Sequence, residues 1–325
     1  MKNIRIHVSL EDGGAPQLRP HISEILRKCA EHGLDPARLV VSEGTEGNDI
    51  PPDCEVLFSA GSVTASAARA AAPGLRWMQL IAAGAEKHMA DYPAGLLLTN
   101  ASGVHAAKGG EYALAGALMI AYHIPRFVDD RAAGRWEPVF GPTLSARTVT
   151  LLGTGAIGTA AARALRPTGC TLIGINRAGS SAAPLDRVAT SDALDEILPL
   201  TDILISTLPL TTHTRGLIDR RRIDLLPEQA GVVVLGRAKV LDYEAIYDRL
   251  EAGTLAGAVL EVFPQEPPPP DDRVWKVPRL VLSPHCNVDD HSTYIEQCIA
   301  IFARNLARYV DGRPLENLVD PALGY

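Results

Sequence analysis

The amino-acid sequence predicts an α/β protein built from two parallel-sheet domains with a cleft between them. The chain has 325 residues, which is more than one hydrophobic core usually serves. Strand-like and helix-like segments alternate along most of it, as they do in parallel βα units. A glycine-rich turn at residues 153–158 joins an apolar strand to an alanine-rich helix, and the alternation starts again there. Two separate sheets follow from this pattern.

The first predicted sheet comes before the glycine-rich turn. Residues 1–8 are too highly charged for a signal peptide and are predicted to begin this sheet. Helices are predicted at residues 18–31 and 64–71. The strands are predicted at residues 4–8, 39–41, 56–58, 77–80 and 96–99.

The second predicted sheet begins at Val149 and has the strand count of a doubly wound dinucleotide-binding fold, which is Rossmann-like or flavodoxin-like. Its later strands are predicted at residues 172–175, 203–206, 232–235, 256–262 and 280–282. A long helix at 294–310 follows, and we expect the tail to return to the first domain. The predicted domains are therefore residues 1–103 with 294–325, and residues 104–293.

The glycine-rich turn suits a dinucleotide pyrophosphate. We predict that Gly153 makes the tight turn, that Gly155 lets the phosphates approach, and that Gly158 packs the helix on the strand. Ala156 and Ile157 begin the helix, whose N-terminal N–H groups attract anions. A glycine-rich turn in some other α/β protein is the alternative.

The end of the next strand favours NADP(H) over NAD(H). An acidic residue that binds the adenosine ribose normally stands there, about 20 residues after the glycines. Asn176 and Arg177 occupy this position, and Ser180 and Ser181 follow. An arginine suits a 2′-phosphate, although an exposed loop arginine with no such role is the alternative.

Composition limits the remaining possibilities. A formal net charge of -7 without a Lys/Arg run argues against nucleic acid as a partner. The apolar segment 112–122 is too short to cross a membrane and is predicted to be a buried helix. Because residues 1–8 do not resemble a signal peptide, we expect a cytoplasmic protein. Five cysteines without a Cys-x-x-Cys pair favour reduced thiols over disulfides or a zinc site, and no metal site is predicted. Residues 267–270 are a short polyproline connector.

Three ionisable residues follow successive strands of the second sheet, where open α/β folds bind their ligands. They are Arg237, Glu266 and His285. Each alone could be a surface residue. In this order, with Pro267 after the glutamate and Pro284 before the histidine, they resemble the D-isomer-specific 2-hydroxyacid dehydrogenase family, in its glyoxylate/hydroxypyruvate reductase branch. The likeness also covers residues 77–84, 99–105, 111–115, 207–214 and 317–325.

The resemblance implies reduction of a small 2-keto acid to a D-2-hydroxy acid. Histidine exchanges a proton near neutral pH, so His285 would donate the proton, and Glu266 would hold its ring. Arg237 would bind the substrate carboxylate or keto oxygen. The backbone amides of Ala83 and Gly84 would be a second substrate anchor. Further cofactor contacts are expected at Leu208, Pro209, Thr214, Leu235, Gly236 and Glu261.

The sequence departs from the family pattern near the nicotinamide or the substrate. Val234 replaces an Asn, Ala238 replaces a Gly, Glu261 replaces an Asp, and Val288 stands where small residues are common. These changes keep open a second class of function, a dinucleotide-sensing binding protein similar to corepressors that share this scaffold. A formate-type dehydrogenase is disfavoured, because that branch has an amide side chain in place of Glu266.

A homodimer is also expected. The apolar helix predicted at 112–122 is too hydrophobic to face solvent, and the resemblance implies association through the nucleotide-binding domain. The interface would include this helix and residues 131–142, with Trp136 and Phe140 close to the partner's cleft.

Overall fold

The computed structural model forms two separate sheets of parallel strands, each flanked by helices, as the sequence predicts. It describes residues 3–11, 18–45 and 49–325. The chain separates into one unit that ends at Val104 and resumes over Asp290–Tyr325, and a second unit of His105–Asp289. The domain boundaries predicted after residues 103 and 293 stay a prediction.

The strands are β1 (Ile4–Leu10), β2 (Leu39–Thr45), β3 (Val56–Ser59), β4 (Trp77–Leu80), β5 (Leu97–Thr99), β6 (Thr148–Leu152), β7 (Thr171–Ile175), β8 (Arg187–Ala189), β9 (Ile203–Ser206), β10 (Ala230–Val234), β11 (Leu255–Leu260) and β12 (Leu280–Leu282). The α-helices are α1 (Ile22–Glu31), α2 (Ala65–Ala71), α3 (Ala106–Ala121), α4 (Ile124–Ala132), α5 (Ala156–Leu165), α6 (Leu194–Ile197), α7 (Arg220–Asp224), α8 (Tyr243–Glu251) and α9 (Tyr294–Val310).

The first unit contains a five-stranded parallel sheet in the order β2-β1-β3-β4-β5. Helices α1 and α9 share one hydrophobic core with one face of this sheet. In this core the Phe302 ring of α9 stacks on Phe58 and Trp77, with centroids 4.6 and 5.3 Å apart. Helix α1 begins at residue 22 rather than at residue 18, because Pro20 disfavours helical backbone at the residue before it.

The C-terminal tail pairs with the same sheet. Leu318 forms an antiparallel bridge with Thr99 of β5, and the Val319 N–H donates to the Leu98 carbonyl at 2.8 Å. The long helix α9 and the segment after it therefore belong to the first unit.

The second unit contains a seven-stranded parallel sheet in the order β12-β11-β10-β9-β6-β7-β8. The six predicted strands are present, and β8 is an additional edge strand that the sequence analysis missed. Helix α3 packs against α5, β10 and β11, which buries Ala113, Ala117 and Ile120. Several of the apolar side chains of residues 112–122 are therefore buried within this unit.

The structure also bears on the expectations for membrane spans, metal sites and disulfides. Among the described residues, no helix is both long and apolar enough to cross a membrane. Within the same ranges, no group of three or more His, Cys, Asp or Glu side chains could hold a metal ion. All five cysteines are free thiols. Four of them are buried, and Cys286 is exposed.

Candidate active site

His285 and Glu266 form a direct pair in the second unit. His285 lies three residues after β12, and its Nδ1 is 2.8 Å from Glu266 Oε2. The other carboxylate oxygen, Oε1, accepts the Phe263 N–H at 2.7 Å. Since an ionised carboxylate only accepts hydrogen bonds, Nδ1 carries a proton and Nε2 is the nitrogen that can exchange one. The two side chains remain 40% and 37% exposed, so this pair is open to a reactant.

The backbone around this pair has an unusual conformation. His285 has a φ of +50°, in the left-handed region that few non-glycine residues adopt. The Glu266–Pro267 peptide bond is cis. The His285 N–H donates to the Ser283 carbonyl at 3.0 Å, so the chain turns tightly as it leaves β12.

Arg237 lies at the same edge of the sheet. It follows β10, and β10, β11 and β12 are neighbours in the strand order, so their carboxyl ends lie side by side. The Arg237 guanidinium donates from Nη1 to the Gly236 carbonyl at 3.0 Å and is partly buried. Of the two departures beside it, Val234 is fully buried and Ala238 is nearly so. One edge of the sheet thus carries an arginine and a histidine–glutamate pair.

The glycine-rich turn is crowded at two of its glycines and open at the third. Gly153 has a φ of +94°, as a tight turn after β6 requires. A Cβ at Gly155 would meet no atom within 4 Å, whereas a Cβ at Gly158 would lie 2.0 Å from the Gly153 oxygen. Ala156 and Ile157 are the first residues of α5. The turn therefore leaves open space at Gly155, before the N-terminus of α5, whereas the first turn of that helix is tightly packed at Gly158.

The side chain of Asn176 is engaged within its own turn. Its Nδ2 donates to Thr154 Oγ1 at 2.6 Å and to the Ser180 carbonyl at 2.8 Å, and its Oδ1 accepts the Gly179 N–H at 2.7 Å. Arg177 is exposed at this turn. Asn176 therefore shapes the loop that presents Arg177.

Two neighbouring loops bring together the other residues expected at the cofactor. After β9, Thr214 Oγ1 donates to the Pro209 carbonyl at 2.6 Å and closes the loop. After β10, the Leu235 N–H donates to the Ser206 carbonyl at 2.9 Å. Gly236 lies so close to this first loop that a Cβ there would be 2.4 Å from the Leu208 oxygen.

Glu261, immediately after β11, is fully buried. Its carboxylate accepts the Asn287 N–H at 2.5 Å, the Asn287 side-chain amide at 3.3 Å and the Ser283 hydroxyl. Ser283 Oγ is also 2.9 Å from the Tyr112 hydroxyl. Burial raises the pKa of Tyr112, so its phenol stays protonated. The sequence analysis gave Tyr112, Ser283 and Asn287 no role, although the first two lie in segments that carry the resemblance.

Ala83 and Gly84 belong to the first unit, in the loop after β4. The Ala83 carbonyl accepts Asn100 Nδ2 at 2.8 Å, and the neighbouring Ala82 carbonyl accepts the Ala101 N–H at 3.0 Å. Neither Ala83 N–H nor Gly84 N–H donates to another residue in the described ranges. The loop is anchored through its carbonyl groups.

Comparison with known proteins identifies the family. The model of the NAD binding domain of D-isomer specific 2-hydroxyacid dehydrogenases matches residues 114–287. Glyoxylate/hydroxypyruvate reductase A of Klebsiella pneumoniae (strain 342) is 32% identical over 218 residues, which cover 66% of this chain and 68% of that protein.

Two solved structures share the fold. A D-isomer specific 2-hydroxyacid dehydrogenase from Xanthobacter autotrophicus Py2, in complex with NADPH and MES, has a TM-score of 0.81 at 24% identity and covers 100% of both chains. An NADPH-dependent glyoxylate/hydroxypyruvate reductase from Sinorhizobium meliloti, in complex with NADP and sulfate, has a TM-score of 0.79 at 23% identity, over 99% of this chain and 100% of that one. With its NAD-binding domain and its similarity to glyoxylate/hydroxypyruvate reductase A, the chain belongs to the D-isomer-specific 2-hydroxyacid dehydrogenase family of oxidoreductases.

Proposed function

We propose that the protein reduces a small 2-keto acid, such as glyoxylate or hydroxypyruvate, to the D-2-hydroxy acid with NADPH. The observation that carries this proposal is the His285–Glu266 pair, with 2.8 Å between Nδ1 and Oε2. Reduction of a keto group needs a proton for the developing alkoxide, and His285 donates it from Nε2. Glu266 orients the ring and stabilises the imidazolium.

Arg237 binds the substrate through its planar guanidinium. That group contacts a carboxylate or keto oxygen with two parallel donors and polarises the carbonyl. The N–H groups of Ala83 and Gly84 are the second anchor for the substrate carboxylate. The family membership and the 32% identity to a glyoxylate/hydroxypyruvate reductase support this substrate class.

The glycine-rich turn would hold the dinucleotide, whose nicotinamide would supply the hydride. Gly155 and the first N–H groups of α5 would hold its pyrophosphate, and the open space at Gly155 supports this assignment. The loops after β9, β10 and β11 would bound the nicotinamide end. Leu208, Pro209, Thr214, Leu235 and Gly236, in the loops after β9 and β10, would contact this end of the cofactor.

Arg177 selects NADPH over NADH by pairing with the 2′-phosphate. Asn176 is occupied within the turn, and Ser180 and Ser181 lie beside the exposed arginine. The two structural neighbours described with NADPH or NADP are less than 25% identical to this chain, so the preference rests on this turn.

The test is turnover of glyoxylate and hydroxypyruvate with NADPH and with NADH, followed at the nicotinamide absorbance. His285→Ala should lower kcat by at least about a hundredfold and leave the NADPH Kd nearly unchanged, because it removes proton transfer rather than binding. His32→Ala, an exposed histidine of the first unit, is the matched control. Unchanged turnover in His285→Ala would contradict the assignment. Tight NADPH binding without turnover in the wild type would favour the dinucleotide-sensing alternative.

The protein acts as a homodimer that associates through the second unit. Trp136 and Phe140, which follow α4, are 97% and 91% exposed. Tyr122, at the end of α3, is also exposed. Burial of large aromatic side chains stabilises protein interfaces, and their exposure in a monomer is unfavourable.

A further inference from the structure

One buried carboxylate holds both ends of the loop that contains His285. We call residues 283–287 the histidine loop. Glu261 accepts the hydroxyl of Ser283 at the start of this loop and the N–H of Asn287 at its end, the latter at 2.5 Å. The Asn287 side-chain amide adds a third donor at 3.3 Å. Glu261 therefore contacts the first and the last residue of the histidine loop at the same time.

The direction of these hydrogen bonds is determined by the groups present. A serine hydroxyl has one proton, and Ser283 donates it to the carboxylate. The Tyr112 hydroxyl, 2.9 Å from Ser283 Oγ, must then be a donor to Ser283. A chain of hydrogen bonds thus runs from α3 through Ser283 to Glu261 after β11, and it ties the histidine loop to two rigid elements.

The length of the side chain matters for this contact. An ionised carboxylate can accept about four hydrogen bonds. Glu261 already accepts three of them, from Ser283 and from the backbone and side chain of Asn287. A buried charge is strongly unfavourable unless such donors are present. Aspartate, the residue expected here from the resemblance, is one methylene shorter and would not reach both ends of the loop at once.

The histidine loop needs this support. His285 has a φ of +50°, and a non-glycine residue is strained in this region unless its surroundings hold it there. The side chain that pairs with Glu266 is carried by this backbone. A small change in the loop would therefore redirect the imidazole.

We propose that Glu261 is a positioning residue, rather than primarily a contact to the cofactor. It orders the histidine loop and thereby fixes the orientation of the His285 imidazole. This inference rests on the proposed role of His285. It differs from the cofactor contact that the resemblance implies for Glu261.

The first test uses the cofactor-free protein. Cys286 lies inside the histidine loop and is exposed, whereas the other four cysteines are buried, so a trifluoromethyl label can be attached selectively to Cys286. We expect the fluorine resonance of Glu261→Asp and of Ser283→Ala to shift and sharpen relative to the wild type, because the loop is less ordered. Wild-type resonances in both variants would overturn the proposal.

The second test separates positioning from cofactor binding in the unlabelled enzyme. Glu261→Asp should lower kcat by about tenfold to a hundredfold, as expected for a misplacement of up to about 1 Å. It should also move the alkaline limb of the kcat pH profile for keto-acid reduction, along which the proton donor is lost, while the NADPH Kd changes less than twofold. Weaker NADPH binding with an unchanged fluorine resonance would instead assign Glu261 to the cofactor and overturn the proposal.

The control is Thr150→Val. Thr150 is fully buried in β6 and its hydroxyl lies 2.7 Å from Thr201 Oγ1, so the variant loses a buried hydrogen bond in the same sheet. It should lower Tm and leave the fluorine resonance and kcat unchanged. If the wild type shows no turnover, the proposed function fails, and the fluorine comparison still decides whether Glu261 orders the loop.

Discussion

Alanine at two glycines of the turn after β6 should produce two different defects. A Cβ at Gly158 would lie 2.0 Å from the Gly153 oxygen and 3.1 Å from Thr207 Oγ1. Since ordinary contacts begin at 3.4 Å, the start of α5 must move by about 1.4 Å to accept it. Overpacking of this kind costs about 1–3 kcal/mol. Gly158→Ala should therefore destabilise the protein.

Gly155→Ala is the matched control for stability. A Cβ there would meet no atom within 4 Å, and the φ of -70° suits any residue. The added methyl group would instead occupy the space proposed for the pyrophosphate. We expect an unchanged Tm and an NADPH Kd raised by at least about tenfold, which corresponds to about 1.4 kcal/mol.

The two variants can be compared by calorimetry without cofactor and by fluorescence titration with NADPH. For a unit of this size, 1 kcal/mol shifts Tm by about 2–4 °C, so Gly158→Ala should melt about 2–12 °C lower. A wild-type Tm for Gly158→Ala would refute the packing argument. A wild-type NADPH Kd for Gly155→Ala would refute the position of the pyrophosphate.

Three further outcomes are expected. Arg177→Ala should raise the KM for NADPH about tenfold to a hundredfold and leave that for NADH nearly unchanged; equal weakening of both would contradict the NADP assignment. Light scattering at micromolar concentration should give a dimer mass for the wild type and a monomer mass for Trp136→Glu, and a monomeric wild type would exclude the homodimer. Burial lowers the pKa of His88 from 6.5 to about 4, so the folded state binds fewer protons than the unfolded state below pH 6.5. Between pH 7 and 4 the wild type should lose at most about 3 kcal/mol more unfolding free energy than His88→Met, and equal losses in denaturant titrations would contradict this.

Most of the fold could be predicted from the sequence, because buried parallel strands appear as short apolar runs. The strands at 77–80, 203–206 and 280–282 lie where they were expected. The edge strand β8 has no such run, since Arg187 is exposed and Val188 and Ala189 are only partly buried. The predicted helix at 18–31 begins four residues before α1, because helical periodicity does not reveal that Pro20 disfavours helical backbone at the residue before it.

The site was less accessible to sequence reasoning. The positions of Arg237 and His285 at strand ends follow from the order of segments, and the contact of His285 with Glu266 agrees with the geometry implied by the resemblance. The engagement of Asn176 within its own turn depends on side-chain torsions that no pattern encodes. The pairing of Tyr112 with Ser283 joins residues 171 positions apart, which only the packing of α3 on the sheet brings together.

Two of the departures from the family pattern have opposite physical consequences. Val234 replaces an amide side chain with an apolar one at a fully buried position, where it packs in the core and brings no polar side-chain group of its own. Glu261 retains a carboxylate at a fully buried position, which is unfavourable unless every donor around it is in place. Stability alone would favour an apolar residue at both positions. Because the donors of Glu261 come from the two ends of the loop that carries His285, its charge is best explained by the order that it imposes on that loop.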